Sequence, residues 1–262
     1  MQTGLTSYSY RWAIQKGNMN LCGFLQNACE AHIRYVQICE NFPFVEMSTV
    51  ELNQLRDTYG SSLVIETGFR GHCPEDLAKA LHATTAIGAK AMRLVVEDIQ
   101  ERSIDMEQVV ADLTTILPLL EQLDLQLCLE NHFLISPAQI VELIQRLPTN
   151  RVSVCFDCFN SIALNIATNE ALDVLFPYVH RIHIKDVSIE RIGTGFCFKG
   201  CQLGTGILNL DMLFSRFIQD GRQPLVFLEG WIDKKKTDQE TIEYEDTVNK
   251  QGIAYLRSYF HE

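Results

Sequence analysis

No apolar run in this sequence approaches the roughly 20 residues that a membrane-spanning helix needs, so a transmembrane protein is not expected. The opening residues, MQTGLTSYSYRWAIQKGN, lack the basic head and apolar stretch of a secretory signal. Nine cysteines without such a signal fit a reducing compartment, with most thiols buried as small apolar side chains. The expected location is cytoplasmic. Basic residues are scarce as well: 22 Lys and Arg against 33 Asp and Glu leave a formal net charge of −11. A surface so acidic repels the phosphate backbone, and no basic cluster offers a footprint for it, so nucleic acid is not an expected partner. No Gly-rich phosphate turn follows the first candidate strand, where SYSYRW stands, and this speaks against a doubly wound dinucleotide-binding sheet. Linkers, internal repeats and low-complexity tracts are absent too, which makes residues 1–262 one domain.

What is present is an ordinary globular composition, 47% hydrophobic and 21% charged. Short β-branched and aliphatic runs alternate with longer amphipathic stretches. The strands are expected at Gly4–Tyr10, Tyr35–Cys39, Leu63–Glu66, Met92–Val96, Gln126–Glu130, Val152–Asp157, Arg181–Lys185 and Leu225–Glu229. The helices are expected at Gly23–His32, Thr49–Tyr59, Glu75–Ile87, Met106–Leu120, Pro137–Leu147, Glu170–Phe176, Leu210–Ile218 and about Thr241 to Tyr259. Such alternation calls for parallel strands with crossover helices, and eight of each suit an α/β fold closed into a (β/α)8 TIM barrel. The Gly-rich stretch Val187–Leu208 reads as a long irregular segment.

Four strands end in a side chain able to bind a metal: LCLENH in Glu130, VCFDCFN in Asp157, RIHIKD in His183 and VFLEGW in Glu229. Barrel active sites gather at the C-terminal mouth, so ligand-type residues at four successive strand ends would meet there. Strand parity agrees. Leu125, Leu127 and Leu129 share one face and Gln126, Cys128 and Glu130 the other, while Ile182 and Ile184 oppose Arg181, His183 and Lys185. An ionised group aimed into a barrel needs a partner or a metal. Any one of these acids could instead cap a helix or pair with a base; the set is more specific than its members. Three carboxylates and an imidazole form a hard site that favours one divalent ion, Mn²⁺, Mg²⁺, Co²⁺ or Zn²⁺.

On these residues, and from GLTSYSYRWA through FLEGW, the chain resembles the xylose-isomerase-like TIM-barrel superfamily of sugar and sugar-phosphate isomerases, ketose 3-epimerases, inosose isomerases and dehydratases, and endonuclease IV. The resemblance implies a metal on Glu130, Asp157, His183 and Glu229. It also implies that Glu130 and Glu229 are catalytic, moving a proton on opposite faces of the substrate through a metal-stabilised enediolate. Many relatives read Asp-x-x-His after the sixth strand. This chain reads Asp157-Cys158-Phe159-Asn160, and Asn160 can hydrogen-bond a hydroxyl but is a poor metal ligand, so a multinuclear zinc site is not expected.

Further substrate contacts are expected from His132, Asn160, Lys185, Trp12 and Trp231, with Tyr10 nearby. Glu66, His72, Arg93 and Glu97 belong to the mouth or lumen without an assigned task, and Asp186 could orient a neighbour. Gly204-Thr205-Gly206 reads as a plain turn more than as a ligand cradle, and Arg191 and Lys199 as solvated charges more than as anion contacts. Cys155-x-x-Cys158 sits in and just beyond a strand that points the two thiols apart, which disfavours a zinc knuckle. Cys197 and Cys201 share a loop.

The leading expectation is a metal-dependent isomerase or epimerase of a sugar, sugar phosphate or related polyol ketone. A lyase that dehydrates an inosose- or dehydroshikimate-like substrate on the same site is the alternative. An endonuclease IV-like nuclease is disfavoured by charge and by Asn160, and a non-catalytic sugar-binding barrel by the complete ligand set. The expected partner is a small-molecule substrate, with a homo-oligomer left open.

Overall fold

Apolar side chains at helical and strand spacing build the elements that the sequence calls for. In the computed structural model, which describes residues 1–98, 100 and 102–262, the strands are β1 (Gln2–Thr6), β2 (Tyr35–Ile38), β3 (Val64–Arg70), β4 (Ala91–Val95), β5 (Gln126–Glu130), β6 (Val152–Asp157), β7 (Val179–Ile184), β8 (Asp186–Ile192), β9 (Gly195–Cys201) and β10 (Leu225–Leu228). The α-helices are α1 (Arg11–Gln15), α2 (Leu21–Glu30), α3 (Thr49–Tyr59), α4 (Pro74–Ala86), α5 (Met106–Leu123), α6 (Pro137–Arg146), α7 (Thr168–Leu175), α8 (Leu210–Gln219) and α9 (Asp238–Phe260). Strands β1-β10-β7-β6-β5-β4-β3-β2 form a closed barrel, the (β/α)8 architecture, while β8 and β9 pair separately as an antiparallel hairpin.

The chain divides into two compact units. The first comprises Met1–Gln37 with His183–Glu262. In it β1 pairs in parallel with both β2 and β10. Gly4 lies so close to β10 that a Cβ there would sit 2.6 Å from the Phe227 ring, so the register admits no side chain at that point. Helix α9 starts at a capping box in which Thr237 and Glu240 satisfy each other's backbone N–H groups. The second unit, Ile38–Ile182, carries the parallel ladders β3–β4, β4–β5 and β5–β6. Helix α5 buries Val109, Leu113, Ile116, Leu117 and Leu120, the i, i+4, i+7 stripe of a helix packed on one face. Each such Leu or Ile contributes about 1.5–3 kcal/mol by leaving water. Helices α3 and α6 begin at capping boxes built by Ser48 with Glu51 and Ser136 with Gln139. Inside the ladder, Ala91, Cys128 and Cys155 pack together, so both cysteines act as small core fillers. Burial pushes both thiols up.

Three expectations need correction. The first strand stops at Thr6 rather than Tyr10, and a 3-10 turn spans Ser7–Tyr10. The Ser9 hydroxyl donates to the Leu228 carbonyl at 2.9 Å and accepts from Gly230 N at 2.7 Å, replacing ladder bonds with side-chain ones. Second, Val187–Leu208 is not irregular throughout, because β8 and β9 run through it with Ile189 opposite Phe198. Its glycines mark a turn, at which Gly193 takes a positive φ of 58°, rather than an unstructured loop. Third, α1 is an additional short helix. Among the described residues, no helix is long and apolar enough to cross a membrane.

Candidate metal centre

Glu130 is the last residue of β5 and Asp157 the last of β6, so the strands themselves deliver both carboxylates. Asp157 is then clamped. Its Oδ1 accepts from the N–H groups of Phe159 and Asn160, both at 2.8 Å. The Asn131 side chain grips its backbone on both sides, accepting from Asp157 N at 2.7 Å and donating to Asp157 O at 2.8 Å. Glu130 is held as firmly. Its Oε1 accepts from Asn160 Nδ2 at 3.0 Å, and its Oε2 lies 3.1 Å from Arg93 Nε. Arg93 is 2% exposed and also reaches Glu40 Oε2 at 3.0 Å. Burial alone would raise the Glu40 carboxyl, but Arg93 and Arg70 together outweigh it and hold it below its ordinary value.

His132 follows Glu130 in the chain but is turned to a neighbouring network. Its Nδ1 meets Glu97, and its Nε2 lies 3.3 Å from Arg70 NH2. A guanidinium only donates, so Nε2 accepts and the ring proton sits on Nδ1, directed at Glu97. Burial raises the Glu97 carboxyl, yet the pairing with His132 and the Leu134 N–H bring it below its usual value.

In the other unit, His183 stands on β7 and Glu229 directly follows β10. A backbone bond of 2.9 Å from Glu229 N to Ile184 O sets the two side by side. His183 Nε2 lies 2.8 Å from Gln37 Oε1. An amide oxygen accepts only, so Nε2 carries a hydrogen and the ring is turned with Nδ1 toward Glu229. Nδ1 lies 3.0 Å from Glu229 Oε2. A proton on Nδ1, or a metal ion bound by both groups, would hold the two at this distance.

One ligand atom from each of Glu130, Asp157, His183 and Glu229 lies within 4.8 Å of all the others. The first three residues are buried and Glu229 is partly so. Three carboxylates gathered this closely call for a cation, and the donor set suits a divalent one, so the residues fit the expected ion. The four ligand-type side chains that the sequence singled out are thus brought together.

Lys185 is 2% exposed, with Nζ 3.9 Å from Glu229 Oε2 and 4.6 Å from the Trp231 ring centre. The Arg11 guanidinium carbon lies 5.7 Å from the same ring and 4.8 Å from that of Trp12. Arg11 NH2 and Trp12 Nε1 both donate to the Ile232 carbonyl, at 2.9 and 3.1 Å. The hairpin backbone rests on this wall, because a Cβ at Gly200 would fall 2.1 Å from Trp231 O.

Several other candidates are committed elsewhere. Glu66 is bound by Arg181 at 2.7 Å, and His72 by Asp112 at 2.7 Å. The N–H groups of Gly204, Gly206 and Leu208 all donate to the Asp186 carboxylate, so that turn serves Asp186 rather than a ligand. Lys199 pairs with Glu190 at 2.7 Å, Arg191 donates to Gly193 O, and the cysteines at 155, 158, 197 and 201 form no disulfides. Gln37, Asn131 and Glu40 escaped sequence reasoning. The readable signal was a lone polar residue inside an apolar strand, as in Tyr35-Val36-Gln37-Ile38.

The sequence profile of the xylose isomerase-like TIM barrel matches residues 69–259. The chain is 25% identical to the 3-oxo-isoapionate decarboxylase of Pectobacterium atrosepticum over 98% of this chain and 95% of that protein. Among solved structures, D-psicose 3-epimerase with D-tagatose from Clostridium cellulolyticum H10 superposes with a TM-score of 0.75 at 14% identity, covering 100% of this chain and 99% of that one. The IOLI protein with a bound zinc atom superposes with a TM-score of 0.69 at 17% identity, covering 97% and 99%.

Proposed function

This chain belongs to the xylose isomerase-like TIM-barrel family, and from that premise we propose that it acts on a small polyhydroxylated carbonyl compound by way of an enediolate, cleaving a bond beside the carbonyl. A divalent ion, Mn²⁺, Mg²⁺, Co²⁺ or Zn²⁺, held by Glu130, Asp157, His183 and Glu229 would supply Lewis acidity toward a carbonyl and its neighbouring hydroxyl.

The observation that carries the cleavage reading is the hold on Glu130. Asn160 donates to one of its oxygens and the Arg93 cation pairs with the other, which together lower its basicity toward a substrate carbon. Epimerisation by two glutamates needs each of them to take and return a proton at carbon. Loss of CO2 from a 3-oxo acid needs less: the C–C bond breaks, its electron pair enters the enediolate, and one proton is delivered to the carbon left behind. Loss of water from a β-hydroxy ketone likewise needs a single base with an acid. Glu229, beside Lys185, supplies the one carboxylate such chemistry requires. The decarboxylase likeness over nearly the whole chain supports the same reading.

Isomerisation is the second reading, favoured by the same Glu229, since a shift between adjacent carbons can run on one base. Product analysis in D2O separates the two. The protein supplied with Mn²⁺ is expected to convert a polyhydroxylated 3-oxo acid faster than its spontaneous decay, releasing CO2 and placing one deuterium in the product. Deuterium exchange into ketoses with no loss of mass, and no cleavage of any acid or β-hydroxy ketone, would favour isomerisation instead.

A further inference from the structure

We propose that Ser9 and Asn249 are positioning residues for Glu229: the Ser9 hydroxyl locks the two peptide groups on either side of Glu229, and Asn249 holds Ser9 in place from α9. The inference rests on the reading of Glu229 as a metal ligand and deepens it, by naming what aims that carboxylate.

The register of β1 with β10 runs to Leu5 opposite Leu228, one residue short of Glu229. The chain then leaves the ladder and enters the 3-10 turn Ser7–Tyr10. On the β7 side Glu229 keeps a backbone bond, from its N–H to Ile184 O at 2.9 Å. Ser9 supplies the β1 side. Its hydroxyl donates to Leu228 O at 2.9 Å and accepts from Gly230 N at 2.7 Å. The first of these groups belongs to the peptide before the Glu229 Cα, the second to the peptide after it. Each peptide is planar, so fixing both fixes φ and ψ of Glu229 and with them the direction of its Cα–Cβ bond. Ser9 is fully buried, so bulk water does not compete for either bond.

Ser9 is itself held from α9. Asn249 Nδ2 donates to Ser9 O, and Asn249 is 2% exposed. A Cβ at Gly230 would fall 2.0 Å from Asn249 Oδ1, so the glycine after Glu229 is what lets the amide come this close. One turn earlier on the same face of α9, Glu245 accepts from Trp12 N and Ala13 N. One turn later, a Cβ at Gly252 would lie 2.9 Å from Leu228 Cδ2, which marks a tight approach of the helix to β10. Positions 245, 249 and 252 therefore tie the turn after β1 and the end of β10 to one helix face. The path to the carboxylate runs from Asn249 through Ser9 to the peptides of Leu228 and Gly230. Neither residue touches the ion in this role; they aim a group that does.

The test compares Ser9→Ala and Asn249→Leu with Ile253→Val, a buried control on the same helix. Titration of the full chain reads Mn²⁺ affinity, denaturant unfolding reads stability without metal, and the visible absorption of the Co²⁺-supplied protein reads ligand geometry. Ser9→Ala is expected to weaken Mn²⁺ binding about 10–100-fold, the scale of losing a group that orients a metal ligand, and to alter the Co²⁺ spectrum. Asn249→Leu is expected to act in the same direction, and carries the comparison should Ser9→Ala not fold. The double variant is expected to lose less than the product of the two single losses, because both act along one path. Ile253→Val is expected to lower stability while affinity and spectrum stay as in the wild type. Wild-type affinity in either test variant would overturn the proposal. So would equal losses of affinity in Ser9→Ala and Ile253→Val, which would show a merely structural role. If the wild-type protein binds neither ion, the metal-site reading falls instead, and amide hydrogen exchange without metal still judges the clamp. The Gly230 N–H is expected to exchange about tenfold or more faster in Ser9→Ala than in Ile253→Val, and equal exchange would overturn it.

Discussion

Nδ1 of His183 stands 3.0 Å from Oε2 of Glu229. Gln37 takes the hydrogen of the opposite ring nitrogen at 2.8 Å, and this bond turns the ring so that Nδ1 faces the carboxylate. Gln37 comes from β2, far from either partner in sequence, and is fully buried.

Removing that outer partner frees the tautomer. Gln37→Leu fits the apolar strand and is expected to weaken metal affinity about 10–100-fold, the usual effect of losing the group that orients a metal-binding histidine. The shift in melting temperature on titrating Mn²⁺ reads this directly. Affinity equal to the wild type would mean that something else fixes the ring.

Arg93 joins Glu40 to Glu130 from within β4. Arg93→Met removes the cation that Glu40 and the buried Glu130 share. Breaking a buried pair from one side costs about 3–5 kcal/mol. Urea unfolding should show a loss of that size, and Arg93→Lys should recover only part of it, since an ammonium cannot serve both acids with a planar fork. A loss below about 1 kcal/mol, the scale of an exposed ion pair, would contradict the burial of this network.

Glu245 on α9 accepts from the N–H groups of Trp12 and Ala13, at 2.9 and 3.0 Å, and so anchors the helix that carries the Trp12 wall. Burial raises its carboxyl from 4.5 to about 7, against the lowering effect of those two N–H groups and of Arg11. A carboxyl raised in the folded state adds stability that is full below its unfolded value and is lost as pH rises through the folded one. The window is therefore pH 4.5 to about 7, and the difference at stake is at most about 3 kcal/mol. Relative to Glu245→Gln, the wild-type protein should be more stable at pH 5 than at pH 8. Denaturant curves for both proteins at both pH values check this, and a gap that does not change with pH would refute it.

The barrel and the cluster of Glu130, Asp157, His183 and Glu229 are legible in the sequence because they obey local rules. Alternation at period two places Glu130 and His183 on the polar faces of their strands, and a strand end is where a barrel presents chemistry. The supporting residues obey no local rule. Asn131 matters because it clamps Asp157 across a strand gap, and Glu40 because Arg93 reaches it from another strand. The hairpin of β8 and β9 was missed because its glycines outweighed its alternating pattern. The first strand ran too far because Ser7 and Ser9 look like strand residues until the Ser9 hydroxyl finds Leu228 and Gly230. Long-range hydrogen bonds decide such cases, and a single sequence does not display them.

Glu130, Asp157, His183 and Glu229 are expected to hold one divalent ion together. Equilibrium dialysis against Mn²⁺ or Zn²⁺ followed by elemental analysis tests it most directly. One tightly held ion per chain is expected, falling to none in Asp157→Asn combined with His183→Ala. A wild-type protein that retains no ion, or a double variant that retains as much as the wild type, would contradict it.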